Sequence, residues 1–291
     1  MTAFTPLSKL DGGRLVFNPK KALNPHHPLK LPCGNCIGCR RDRSGDWAMR
    51  CLHEAQMHPN NCFITLTYSD EHLPEDYSVH IRTFQLFMKK LRKHYQPAKI
   101  RFYGCGEYGP INLRPHYHSI LFNHDFSDKQ LFKKTPQGNY LYTSKSLDQI
   151  WGYGFTTIGD VTYQSAGYVA QYVMKKINGD RALHHYLRTH PVTNQIHKVE
   201  PEFQLQSVGL GSTWFDKYKQ DCFPSDFLVV DGKQLRVPQY YTKKLTEEAA
   251  KPIKRLRKKS SLTRRADSTP ERLRVRETVK TLQLKQLKRT I

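Results

Sequence analysis

Apolar and polar positions along this chain follow two rhythms, one of about four residues and one of two. From Ser44 to about Met57, Trp47, Cys51 and Ala55 recur every four residues with Leu52 beside them, which predicts a helix ending near His58-Pro59. Cys62 to Tyr68 alternates Phe63, Thr65 and Thr67 with Ile64, Leu66 and Tyr68, a β-branched and aromatic run that predicts a strand. Helical spacing returns at Phe84, Phe87, Met88, Leu91 and Tyr95, predicting a helix from Ile81 to Tyr95 that Pro97 stops. Ile100 to Cys105 and His116 to Phe122 read as two strands around a Gly109-Pro110 turn, so the pair could form a hairpin with a long loop. A short helix at Leu147 to Trp151 and a strand at Phe155 to Thr162 come next. A further helix opens after Ser165 as N-cap and runs to about Lys176, before Asn178-Gly179. Strand, helix, strand, strand, helix, strand, helix suits the α+β class, an antiparallel sheet with helices packed on one face.

The flanks carry less pattern. Residues 1 to about 30 are rich in Pro, Asn, His and Lys and read as an extended arm. Between 180 and 250 the clear signal is a small hairpin, Phe227 to Val230 and Leu235 to Val237 around Asp231-Gly232. Leu282, Leu284, Leu287 and Ile291 hint at a marginal helix in the last 41 residues. The expected organisation is an arm, cysteine cluster and helix over 1–60, a core over 61–178, an accessory region over 179–250 and a flexible basic tail over 251–291. No internal repeat and no Gly-x-x-x-x-Gly-Lys-[Ser/Thr] phosphate loop is found, so an ATP-driven motor is not suggested.

Charge narrows the partner. The 291 residues hold 47 Lys plus Arg against 25 Asp plus Glu, a formal net charge of +22. That excess disfavours a neutral metabolic enzyme and favours a polyanion, and 11% aromatic residues add stacking surface for bases. From Lys251 onward there are 15 basic and 3 acidic residues, so +12 sits in the tail and +10 in the body. Lys254, Arg255, Arg257, Lys258 and Lys259 read as a disordered run that holds phosphates without reading sequence. No apolar run approaches the roughly 20 residues of a membrane span, and the start lacks the plan of a signal peptide, so a cytosolic protein without membrane partners is expected.

Three groups of residues carry candidate chemistry. On a strand, His116 and His118 project to the same face, a platform for a metal ion, and Glu107 stands at the mouth of the preceding strand as a third donor. Such a set could hold Mg²⁺ or Mn²⁺, with Zn²⁺ chemically possible; two histidines on a solvated face are the alternative. On the helix after Ser165, Tyr168, Tyr172, Lys175 and Lys176 fall within one arc while Ala166, Val169, Ala170 and Val173 form the packing stripe. Two outward tyrosines beside lysines could serve as nucleophiles at a phosphodiester, or could simply be the polar face of an amphipathic helix. Cys33, Cys36 and Cys39 follow Cys-x-x-Cys-x-x-Cys spacing, with Cys51 and His53 as fourth donors for a structural Zn²⁺; reduced thiols in a tight glycine turn are the alternative. The total of seven cysteines is odd, which speaks against a secreted disulfide framework, and Cys62, Cys105 and Cys222 read as core positions.

Taken in order, Phe63-Ile64-Thr65-Leu66-Thr67-Tyr68, His116-Tyr117-His118 and Tyr168 through Lys176 resemble the three motifs of HUH-type rolling-circle replication initiators. From about residue 30 to 245 the chain resembles the initiators of gokushoviruses, single-stranded DNA phages of the microvirus group; Cys33 to Arg40, Tyr103 to Gly109 and Trp214 to Tyr218 strengthen the match. The resemblance implies an HUH endonuclease-like fold, His116 and His118 as metal ligands with Glu107 as the acidic third, and Tyr172 and Tyr168 as nucleophiles, Tyr172 first. Lys175 would be the lysine three residues after the tyrosine, with Lys176 competing for the role. Gln171 occupies the place where a second such lysine would sit. It implies a metal-dependent nickase and strand transferase that links origin DNA to tyrosine through a 5′ phosphate, starts rolling-circle replication and rejoins the strand. Host helicase and polymerase would be partners, in the cytoplasm of a bacterial host. A non-catalytic basic DNA-binding protein, or a relaxase or transposase of the same chemistry, remain the alternatives.

Overall fold

The computed structural model describes residues 2–3, 16–24, 26, 29–109, 112–136, 138–171, 176, 180–190 and 193–286. Helix α1 (Ile37–Ala55) leads into strand β1 (Asn61–Tyr68). Helix α2 (Ile81–His94), strands β2 (Arg101–Tyr108), β3 (Pro115–Phe122), β4 (Gln130–Lys134) and β5 (Tyr140–Thr143), and helix α3 (Lys145–Trp151) follow. Strand β6 (Gly154–Gly159) and helix α4 (Tyr163–Gln171) complete the central unit, and β7 (Phe203–Gln206) adds an edge strand from the accessory region. Together they form one seven-stranded sheet in the order β7-β2-β3-β1-β6-β5-β4, and its pairings are antiparallel. This is the expected α+β class.

Helices cover both faces of the sheet, where one face was expected. The reason lies in β1, whose two side-chain sets are both apolar over most of its length. Ile64 and Leu66 pack with Phe84, Phe87, Met88 and Leu91 of α2 and with Trp151 of α3. Phe63, with Tyr103, Ile120 and Phe122, packs instead under Ala48 and Cys51 of α1 and Ala166, Val169 and Ala170 of α4. Strand β2 shows how the two faces are fitted. Tyr103, Cys105 and Glu107 point to the α1/α4 side, while Gly104 and Gly106 face the other, where any Cβ would run into the rings of Phe84 and Phe203. The glycines are therefore required by ring packing inside a strand.

Local boundaries differ from the sequence pattern for identifiable causes. Helix α1 begins at Ile37, not Ser44: its first two turns are polar and hold Gly38 and Gly45, so no apolar period announces them. Helix α4 begins at Tyr163, and Ser165 is its third residue. The Thr162 N–H donates to Ser165 Oγ (2.8 Å) and the Ser165 N–H donates to Thr162 Oγ1 (3.0 Å), a reciprocal cap that also ends β6 at Gly159. Strands β4 and β5 went unforeseen, since all five β4 residues are exposed and a bulge between Leu131 and Lys133 breaks the period of two.

The accessory region packs on the outer side of α1. Trp214 and Phe215 of α5 (Ser212–Cys222), Leu228 of β8 (Phe227–Val230) and Tyr241 of α6 (Gln239–Lys244) gather around Met49. The foreseen hairpin is present, β8 pairing with β9 (Lys233–Arg236). The basic tail, expected to be a disordered segment, instead forms α7 (Glu247–Thr263) and α8 (Pro270–Gln286). Thr246 caps α7, Glu247 and Glu248 suit its positive end, and Ala250 and Ile253 are buried. No helix among the described residues is long and apolar enough to cross a membrane.

Candidate active site

Strand register builds the site. Glu107 on β2 lies opposite His116 on β3, and Cys105 opposite His118. On the other side of β3, Thr67 and Thr65 of β1 stand opposite the same two histidines. Directly opposed residues of an antiparallel pair share a face, so all six point to the α1/α4 side. Glu107 is thus a buried strand residue rather than a loop carboxylate at the mouth.

The polar atoms converge. Glu107 Oε1 lies 2.8 Å from His116 Nε2 and 3.2 Å from His118 Nε2. The second nitrogen of each ring is held from behind: His116 Nδ1 is 3.0 Å from the Arg114 carbonyl oxygen, and His118 Nδ1 is 2.9 Å from Thr65 Oγ1. A carbonyl can only accept, so the His116 Nδ1–H points there and Nε2 is the nitrogen turned to Glu107. Burial alone would push the Glu107 carboxyl up. The hydrogen bonds and charge of the two imidazoles outweigh it and hold Glu107 well below the usual carboxylate range.

One carboxylate oxygen and two imidazole nitrogens, all within 4.8 Å of one another, form a mixed donor set. Two ligands about 2.1 Å from an ion and at right angles to it are about 3 Å apart, which the observed spacings match. The outer contacts of His116 and His118 are those that usually orient metal-binding imidazoles. The residues therefore fit a divalent cation.

Tyr168 of α4 stands at this donor set. Its ring meets His118 edge-on with centroids 5.3 Å apart, and Phe63 edge-on at 6.4 Å. The sequence arc had it facing outward. It is instead half-buried, because α4 presses Ala166, Val169 and Ala170 onto the sheet and Tyr168 flanks that stripe. Tyr172 and Lys175 lie outside the described residues. Lys176 is exposed, and its carbonyl accepts from Arg40 Nη2 at 2.8 Å, which ties the end of the tyrosine segment to the start of α1.

Residues 61–177, from β1 to just past α4, match the family described as replication-associated protein ORF2. The replication-associated protein VP4 of Bdellovibrio phage phiMH2K is 34% identical over 238 residues, which cover 79% of this chain and 71% of that protein. The replication-associated protein ORF2 of Spiroplasma virus 4 is 32% identical over 262 residues, 84% of this chain and 75% of the relative. The chain belongs to the family of phage replication-associated proteins. The replication-associated protein ORF4 of Chlamydia phage 1 is similar at 28% identity, over 75% of this chain and 55% of its own length. These relatives agree with the gokushovirus-type resemblance of the motifs. No solved structure matches the chain significantly.

In this phage replication-associated protein a second donor cluster lies outside the sheet. Cys33, Cys36 and Cys39 bring their sulfurs within 4.8 Å of one another, with Cys33 Sγ and Cys39 Sγ 4.0 Å apart. The Cys36 N–H donates to Cys33 Sγ at 3.2 Å, and such backbone donors pull the Cys33 thiol down to about 7. Cys51 does not join them. Because α1 starts at Ile37, Cys39 and Cys51 are twelve residues apart on one helix, about 18 Å along its axis. Cys51 is buried in the sheet core. His53 is equally committed elsewhere, with Nδ1 2.9 Å from Tyr241 Oη and its ring stacked on Trp214 at 3.4 Å.

The basic run is placed on α7. Lys254, Arg255, Lys258 and Lys259 are exposed there. Arg257 differs: its guanidinium donates to both carboxylate oxygens of Asp226, at 2.8 and 2.6 Å, and anchors α7 to the accessory region. It serves the fold where a phosphate contact was expected. The sequence reading also missed Thr65, the hydroxyl behind His118, and Arg114, whose backbone holds His116. Period-two alternation put Thr65 on a definite face of β1. Only the pairing across 53 residues reveals that this face meets His118.

Proposed function

We propose that this protein initiates replication of a circular single-stranded phage genome by nicking its origin through tyrosine. The reading is carried by one observation: the Glu107, His116 and His118 donors face a tyrosine ring on the family's third motif. Glu107, His116 and His118 would hold Mg²⁺ or Mn²⁺, which when bound supplies Lewis-acid polarisation of the scissile phosphate. The residues do the rest. Thr65 and the Arg114 carbonyl orient the imidazoles. Packing of α4 on α1 and the sheet fixes Tyr168 against His118, so that the attacking phenol is positioned before substrate arrives.

In the reaction, a tyrosine oxygen attacks the origin phosphorus and loses its proton. The bond from phosphorus to the 3′ oxygen breaks, leaving a phosphotyrosine on the 5′ side and a 3′ hydroxyl to prime synthesis. Free phenols have a pKa near 10, so the step needs a nearby cation, and Lys175 or Lys176 would steady the developing charge. Tyr168 and Tyr172 would act in succession, the second cutting the regenerated origin and allowing the displaced strand to close. Cys33, Cys36 and Cys39 would hold a structural Zn²⁺ that fastens the start of α1. Origin DNA is the substrate, and the host helicase and polymerase follow as partners inside the bacterial cell.

The test uses purified protein, origin single strand and Mn²⁺. A covalent protein–DNA adduct is expected in wild type and lost in the Tyr168→Phe, Tyr172→Phe double variant; an adduct that survives both changes contradicts the assignment. Peptide mapping of the linked tyrosine decides which of the two attacks first.

A further inference from the structure

The donor row does not stop at the histidines. Strand register carries it from Glu107 to His116 and Thr67, and then to Phe155 on β6, four directly opposed residues across four strands. All four share one face of the sheet. Phe155 lies two strand steps from His116, about 10 Å. Its exposure is 71%, while Thr67 and Thr157 around it are half-buried. A phenyl ring standing on an otherwise hydroxyl-lined part of a sheet has no role in either core cluster.

Nor is this a loose position. Gly154, just before it, has φ +148°, and a Cβ there would strike the backbone of Thr67, Tyr68 and Ser69. The Ser69 N–H donates to the Tyr153 carbonyl at 2.8 Å, and the Trp151 indole N–H donates to the Thr67 carbonyl at 3.1 Å. These contacts clamp the start of β6 to the end of β1. The ring is therefore presented on a rigid ladder, and ordering it on binding costs little.

We propose that Phe155 is the stacking platform for an unpaired nucleobase next to the scissile phosphate. The row is continuous with the donors that would face that phosphate, and a chain of net charge +22 suits a polyanion over a second copy of itself. Stacking on a phenyl face is tolerant of sequence, so Phe155 sets where the strand lies and leaves origin choice to other residues. The identity of the substrate rests on the nicking reading above.

The probe is a fluorescein-labelled oligothymidylate of about 16 nucleotides, bound to the full chain in EDTA and followed by anisotropy. Phe155→Ala should weaken binding about 5- to 150-fold, the span of one missing base stack, with the salt slope unchanged because every phosphate contact is kept. Phe155→Leu, which keeps apolar area without a π face, should weaken it as well. Phe155→Trp should retain affinity, and the fluorescence of its indole should be quenched by the oligonucleotide. This last readout stands even if the alanine variant misfolds. Phe155→Ala or Phe155→Leu binding as wild type does, or an unquenched indole, overturns the proposal. So does a change of oligomeric state in Phe155→Ala, by sedimentation, with DNA affinity intact, which would make the face a self-association surface. Because no metal or cleavage enters the assay, failure of the nicking reading shows separately, in the adduct experiment.

Discussion

Two donor clusters in one chain were built by opposite means. The Glu107, His116 and His118 set is made by register: a carboxylate and two imidazoles are brought together by adjacent strands, buried, and fixed from behind by Thr65 and the Arg114 carbonyl. The Cys33, Cys36 and Cys39 set is made by local chain turns at the start of a helix, with Cys33 and Cys36 exposed, and the fold brings neither Cys51 nor His53 to it. Rigid, outer-supported donors suit a cation that must hold geometry at a reacting phosphate. Soft, exposed thiols at a helix start suit a fastening ion whose work is structural.

The largest expected effect separates these roles. Replacing a direct donor, as in His118→Ala or Glu107→Gln, should lower Mn²⁺ affinity and adduct formation by more than the about 10- to 100-fold typical of an outer partner. Isothermal titration and gel-shift of the adduct check it; wild-type Mn²⁺ affinity in His118→Ala would break the comparison. Thr65→Val keeps the shape of β1 and removes the hydroxyl behind His118. It should cost about 10- to 100-fold in Mn²⁺ affinity while the melting temperature stays near wild type.

Changes at the thiols should act on stability instead. The triple change of Cys33, Cys36 and Cys39 to Ser should leave Mn²⁺ affinity unaltered and lower the melting temperature in zinc-replete buffer. Amide exchange should rise at the start of α1 and at Lys176, which Arg40 ties to it. Zinc content by mass spectrometry should fall together with that stability; a triple variant as stable as wild type would remove the fastening role.

His53 sharpens the same contrast through pH. Burial lowers its pKa from 6.5 to about 3, so the folded state keeps the ring neutral where the unfolded chain protonates it. The unfolded state then binds more protons below about pH 6.5, and stability falls as pH falls, by up to about 1.4 kcal/mol per unit from this group. His53→Gln should flatten that slope between about pH 6 and 4 in denaturant titrations. An unchanged slope would mean the ring is not held neutral. The smallest effect belongs to α7. Changing Lys254, Arg255, Lys258 and Lys259 to Gln should reduce the salt slope of single-strand binding by about 0.7 for each phosphate no longer held, with cleavage of a short origin oligonucleotide intact. Arg257 is left in place there because it anchors the helix to Asp226.

What was legible in the sequence follows from the range of the forces involved. His116 and His118 were readable because alternation within one strand puts them on one face without any knowledge of neighbours. Glu107 was readable as a partner but misplaced, because β2 extends to Tyr108 through its ladder with β3, three residues beyond the apolar run. Cys51 as a zinc donor failed for a related reason. The first turns of α1 are polar and glycine-containing, so the helix that separates Cys39 from Cys51 was hidden until packing showed it. Tyr168 turned inward because tertiary docking of α4 decides a side chain that stands at the edge of an amphipathic stripe. The tail reversed the charge argument: like-charge composition predicts disorder, yet the Thr246 cap, two buried apolar residues and the Arg257–Asp226 pair accompany a helix there. Phe155 was visible as a strand residue, but its exposure and its place in the donor row depend on pairings across three other strands.

The claim on which the rest depends is that strand register makes a metal centre of Glu107, His116 and His118. Pulsed electron paramagnetic resonance of Mn²⁺ bound to protein carrying ¹⁵N-labelled histidine tests it most directly. Nitrogen couplings from two coordinated imidazoles are predicted, one of them lost in His116→Ala and the other in His118→Ala. A bound Mn²⁺ with no histidine coupling, or with couplings unchanged by both substitutions, would contradict the account.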